Sequence, residues 1–248
     1  MIAAERNPFS EIPACDSYRD LFGLFLFAAG FTLALAIAAL ILSNKLLKLN
    51  LDASEAVSLI QGTVYVFLCL KILRDQGTDI SSVWRDWRAN FGRDALNALK
   101  YYAVYLLLIG SMLALAMAAF HFPASRDAAA GAVSFGAREE LYTAAREIVG
   151  GSRFSLALMF FSFCVLAPIG EELFFRRIVY VALRKKLSFL RALFASSVIF
   201  AASHGAASLS VFPVSLLLGY VYEKKRRLPV NIMLHGLINL FALAVRLT

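Results

Sequence analysis

The chain has 248 residues, 60% of them hydrophobic and only 17% charged, with a formal net charge of +8. Soluble domains are roughly 45–50% apolar and about 25% charged. The excess here lies in long uncharged runs with basic clusters between them, which places the chain among membrane proteins and excludes nucleic acid as the partner of its positive charge. The three cysteines, Cys15, Cys69 and Cys164, have neither disulfide nor metal spacing. Cys69 and Cys164 fall in apolar runs and read as packing residues, and Cys15 as a free thiol beside the membrane.

No charge occurs between Asp20 and Lys45, a run longer than the roughly 20 residues that cross a bilayer and too long for a signal-peptide core. It predicts a retained helix over about 21–43. A second helix is expected over about 56–73. Residues 82–91 put Trp84, Trp87 and Phe91 on one helical face beside Arg88, the pattern of a short helix lying among headgroups. A third spanning helix follows over about 101–122. Its outer end carries His121, which reads as structural. Residues 137–149 place Leu141, Ala145 and Ile148 on one face and predict an outer surface helix. The run 154–183 would be roughly 45 Å long as a helix and contains Pro168, so a kinked or broken helix is expected at 167–170. Helices over about 189–204, 209–222 and 229–247 complete an all-α polytopic transmembrane bundle. It forms a single integral membrane domain over 1–248, with about seven crossings.

Counting charges orients it. With the N-terminus cytoplasmic, 16 of the 25 Lys and Arg residues fall on the cytoplasmic side and 7 opposite, with Arg176 and Arg177 inside a span. The positive-inside rule favours that solution, with the C-terminus on the opposite side. Arg177 and the basic run from Lys224 to Arg227 read as topology and snorkelling charges.

Ionisable groups inside a span cost at least about 2.5–3.5 kcal/mol each on insertion scales. All eight aspartates lie in connecting segments, and Glu171 and Glu172 are the exceptions among nine glutamates. Glu172 and Arg176 are four apart, so the guanidinium can neutralise the carboxylate and hold it with two hydrogen bonds. Glu171 lies about 100° round the helix and stays available. Phe200 flanks His204 at the same spacing and reads as a packing residue, and His235 stands one turn from Asn239. Glu171, His204, His235 and Asn239 all lie roughly 12–20 Å of helix from a cytoplasmic charge. They suit one buried site whose default reading is functional.

Three motifs carry a resemblance. The stretch from Ala167-Pro168 through Glu171-Glu172 to Arg176 resembles the Glu-Glu-x-x-x-Arg motif of the CPBP family of intramembrane proteases, the CAAX-protease and bacteriocin-processing family. Phe200 to His204 resembles its Phe-x-x-x-His motif, and His235 to Asn239 its His-x-x-x-Asn motif. The similarity covers about the last 95 residues, 154–248; the first 150 share only their membrane character. Arg177 stands where the family often has glycine, which bears on packing more than on chemistry.

The resemblance implies an intramembrane endopeptidase acting on a membrane-associated polypeptide. Glu171 would be the base that activates water, with His204 holding that water and His235 and Asn239 stabilising the oxyanion. Glu172, Arg176 and Phe200 would support them. It implies either no cofactor or a divalent metal such as zinc, which Glu171, His204 and His235 would then ligate. Two non-proteolytic readings compete: a proton-coupled carrier using Glu171 and the histidines as a relay, and an immunity or scaffold protein. The carrier reading lacks the internal repeats common in such folds. No His-Glu-x-x-His, no intramembrane aspartate pair and no Gly-x-Ser-Gly occurs, so other intramembrane protease classes fit poorly.

Overall fold

A computed structural model describes residues 7–14, 17–42, 53–120 and 153–247. Cys15, His121, the surface helix expected over 137–149 and several charges used for orientation (Lys45, Lys48, Arg126, Arg138 and Arg146) lie outside the described residues. Within them the chain is helical, with no strand. The helices are α1 (Tyr18–Leu42), α2 (Ala53–Asp75), α3 (Ile80–Phe120), α4 (153–186), α5 (Phe189–Ala202), α6 (Ser208–Lys225) and α7 (Leu228–Leu247). Backbone polar groups have no water to bond in hydrocarbon, so helices are the form these apolar runs can take there. Windows in α1, α3, α4 and α7 are long and apolar enough to cross a membrane, and the protein is an integral membrane protein.

Two expectations change. The segment 82–91 is not a separate helix. It is the start of α3, which runs unbroken for 41 residues. That is about 60 Å, twice the ~30 Å hydrocarbon core. Nothing between Phe91 and Tyr101 stops it: there is no proline, and one glycine inside a helix costs only about 1 kcal/mol. Asp79 caps its start, accepting the Ser81 backbone N–H at 2.9 Å. The Ser82 and Ser81 N–H groups hold the Asp79 carboxyl below its usual range.

Second, Pro168 does not break α4. Backbone angles stay right-handed helical at Leu166, Ala167, Glu171, Glu172 and Tyr180. Around the proline the helix loosens instead: 162–166 and 172–180 adopt the wider π register. Local π adjustment and help from neighbouring helices are how a membrane helix accommodates proline.

The second half of α4 is the centre of the fold. From Glu172 to Arg184 every residue but Arg177 is buried. Phe174, Phe175, Ile178, Tyr180 and Val181 pack with α1, α2, α5 and α6. Cys69 and Cys164 are buried free thiols, as expected of packing residues. The segment 7–14 closes this end. Phe9 is buried, with its ring centroid 5.8 Å from Tyr180 and 5.6 Å from Tyr222. Asn7 Nδ2 donates to the Arg184 carbonyl at 2.8 Å, and Arg177 Nη1 to the Pro13 carbonyl at 3.0 Å. Arg177 is therefore a tertiary tie rather than only a snorkelling charge, because a backbone acceptor from the start of the chain reaches it.

Arg227 is also more than a topology charge. Its Nε and Nη2 donate to Asp94 Oδ1 and Oδ2 at 2.5 and 2.6 Å, with Asp86 3.0 Å away. Asp94 is fully buried, so this fork ties α3 to the start of α7. Arg227→Met is expected to leave a buried carboxylate unpaired and to destabilise the fold by about 3–5 kcal/mol. The measurement is the melting temperature in detergent, and adding Asp94→Asn should restore much of the loss.

Candidate active site

Glu171 and Glu172 are adjacent on α4 and face different surroundings. The Glu172 side chain has no exposure at all, whereas that of Glu171 is 27% exposed. Three donors meet Glu172. His235 Nδ1 lies 2.9 Å from Oε1, and Asn231 Nδ2 donates to Oε2 at 3.1 Å. Arg176 Nε stands 3.2 Å from Oε2 as an ion pair, without hydrogen-bond alignment. The expected two-bond fork from Arg176 is thus replaced by one charge contact and two bonds from α7. The guanidinium also turns to Ser215 on α6, donating from Nη2 at 3.2 Å, and lies 4.9 Å from the centre of the Phe200 ring.

These contacts set the histidine tautomers. A carboxylate only accepts, so His235 Nδ1 donates to Glu172 and a neutral ring presents the lone pair of Nε2. His204 sits just past α5, where Gly205 at φ +57° turns the chain towards α6. Its Nδ1 lies 2.8 Å from the Phe200 carbonyl, which also only accepts. In a neutral ring its Nε2 then presents a lone pair as well. Both Nε2 atoms approach the same carboxylate oxygen, Glu171 Oε2, from 3.9 Å for His204 and 3.7 Å for His235. The Phe200 ring lies beneath both imidazoles, 4.6 Å from His204 and 5.9 Å from His235. It packs against both rings.

Glu171, His204 and His235 thus come together from α4, the α5–α6 turn and α7. Asn239 lies one turn beyond His235, and its Nδ2 donates to the Phe163 carbonyl on α4 at 2.9 Å. Asn231 and Ser215 escaped the sequence reading. Asn231 had a signal, since Asn231, His235 and Asn239 form a stripe at four-residue spacing on α7. Ser215 had none, being one of three serines in α6 with nothing in the pattern to single it out.

Among the described residues no group of three His, Cys, Asp or Glu side chains is placed to hold a metal ion. The separations around Glu171 exceed the roughly 3.4 Å between neighbouring ligands of a tetrahedral zinc with ~2.1 Å bonds. They suit a small hydrogen-bonding molecule between the groups, as polar atoms beyond about 3.5 Å commonly do.

Removing Arg176 strips the charge partner from a carboxylate with no access to water. Arg176→Ala is expected to cost about 3–5 kcal/mol, seen as poor yield and a lower melting temperature. A variant that melts like wild type and yet loses turnover would move Arg176 from support into the chemistry.

Comparison with known proteins agrees with this geometry. Residues 153–241 match the family model described as type II CAAX prenyl endopeptidase Rce1-like. Searches of curated proteins and of solved structures each found no match. The matched segment begins with α4 and ends two residues beyond Asn239, so it contains all of the residues just described. Over residues 153–241 the chain is similar to the Rce1-like type II CAAX prenyl endopeptidases, which is consistent with a CPBP family protease.

Proposed function

We propose that the protein is a glutamate-type endopeptidase that hydrolyses a peptide bond in a membrane-associated polypeptide. The observation that carries this reading is the approach of two bare imidazole nitrogens to one oxygen of Glu171. A water there donates one hydrogen to Glu171 Oε2 and the other to His204 Nε2. As its oxygen attacks the scissile carbonyl carbon, Glu171 takes the proton, and positive assistance is needed at the carbonyl oxygen. Before attack the bare Nε2 of His235 takes a proton from solvent, and the ring, with Nδ1–H held by Glu172, then donates Nε2–H to the oxyanion and releases that proton to solvent after the intermediate collapses. Collapse of the intermediate breaks the C–N bond, and Glu171 returns its proton to the leaving amine. No step runs through a metal.

The wider reading is one integral membrane domain crossing about seven times, with the N-terminus cytoplasmic and the C-terminus opposite. The distribution of basic residues supports it.

Glu171→Gln keeps the shape and removes the base. Turnover of a membrane-anchored, internally quenched reporter peptide ending in a CAAX sequence is expected to fall by at least roughly 10²–10⁴-fold, with the melting temperature held. Near wild-type turnover by this variant would reject Glu171 as the base, and an equally functional variant without any cleavage would favour a scaffold.

A further inference from the structure

Pro168 leaves a helix carbonyl without its donor, and Asn239 answers it. In the loosened turn before the proline, the Ala167 N–H donates to the Ser162 carbonyl, five residues back. Phe163 thereby loses Ala167, the donor an α-helix would give it. In the same wider register its donor would be residue 168, a proline with no N–H. Hydrocarbon supplies no substitute. The bond that the Phe163 carbonyl does accept comes from Asn239 Nδ2 at 2.9 Å.

The next carbonyl faces the same helix. A Cβ on Gly236 would stand 2.5 Å from the Cys164 oxygen, so α7 rests directly on this turn of α4. Gly236 follows His235 in the chain, and His235 reaches α4 again at Glu172. Helix α7 is therefore pinned at two levels of α4, once at the 163–164 carbonyls and once at Glu172. Glu171 lies between them.

We propose that Asn239 is a positioning residue: its amide N–H satisfies the Phe163 carbonyl orphaned by Pro168, and this bond sets the distance between His235 and Glu171. Proline and asparagine then act as one device across two of the three motifs. The proline frees a carbonyl on α4, and the asparagine uses it as the docking point for α7. The catalytic meaning of this device rests on the function proposed above; the bond itself does not.

The test is a double-mutant cycle on the full chain with Asn239→Ala and Pro168→Ala. Pro168→Ala returns an N–H to the helix ladder, so the carbonyl no longer needs Asn239. In the wild-type background Asn239→Ala should lower the melting temperature. It should also reduce kcat on the anchored reporter by roughly 10²-fold, the scale of a ~1 Å misplacement of catalytic groups, with KM little changed. In the Pro168→Ala background both losses should shrink sharply. Equal losses in the two backgrounds would overturn the proposal and leave Asn239 acting directly on substrate. If Asn239→Ala alone gives no folded protein, recovery of folded protein in the double variant supports the proposal and failure to recover overturns it. The melting arm needs no substrate, so a reporter that the wild type does not cleave would count against the proposed function and leave this inference to be decided by stability.

Discussion

The Glu172 carboxylate is the constraint around which this structure is arranged. An ion with no exposure inside a membrane bundle persists only if donors surround it. Here they come from two helices: Arg176 from its own, Asn231 and His235 from α7. Arg176 then extends the network to α6 through Ser215 and to α5 through the Phe200 ring. One buried charge thus fixes four helices relative to one another. Apolar packing alone would hold them less specifically, because lipid tails compete with apolar side chains on nearly equal terms.

That structural charge also orders the surroundings of Glu171, the proposed base. By holding His235 through Nδ1, Glu172 turns Nε2 towards Glu171. The Phe200 carbonyl does the same for His204. Two neighbouring glutamates therefore divide the labour. One is consumed by structure and defines the protonation pattern, and the other is left with partners too distant to bond it directly. Their separation of about 100° on the helix makes that division possible.

The polar residues of the candidate site are legible in the sequence because the membrane makes such residues expensive. Glu171, Glu172, His204 and His235 stand out against apolar runs where chance would not keep them. Less legible is what answers backbone. The need created by Pro168 is local, but its remedy lies 71 positions away in Asn239 and depends on a register shift that no residue pattern announces. Of the kink or break expected from proline chemistry, the break does not occur, because π turns and a neighbouring helix absorb the defect. Arg177 and Arg227 teach the same lesson for charges. Near the ends of apolar runs, an arginine that orients the chain and one that holds a distant carbonyl or aspartate look alike until the partner is known. The length of α3 was hidden for the opposite reason: its composition changes at the membrane surface, but nothing there ends a helix.

Burial along α4 favours Glu171 as the place for the proposed reaction. Beyond Glu172 the helix is enclosed as far as Arg184, save for Arg177, and its end is locked by Phe9 between two tyrosines and by Glu223 accepting from Tyr180 and Arg184. Before Glu172 the same helix alternates between buried and partly open positions. Glu171 and His204, each 27% exposed, sit at that boundary. A hydrolytic group placed one residue deeper would be as inaccessible as Glu172. One placed much farther towards 153 would lose the support of Arg176 and Phe200. The proposed hydrolysis inside a bilayer would need both a rigid frame and access to the reacting group, and the junction of the closed and open parts of α4 places Glu171 beside both.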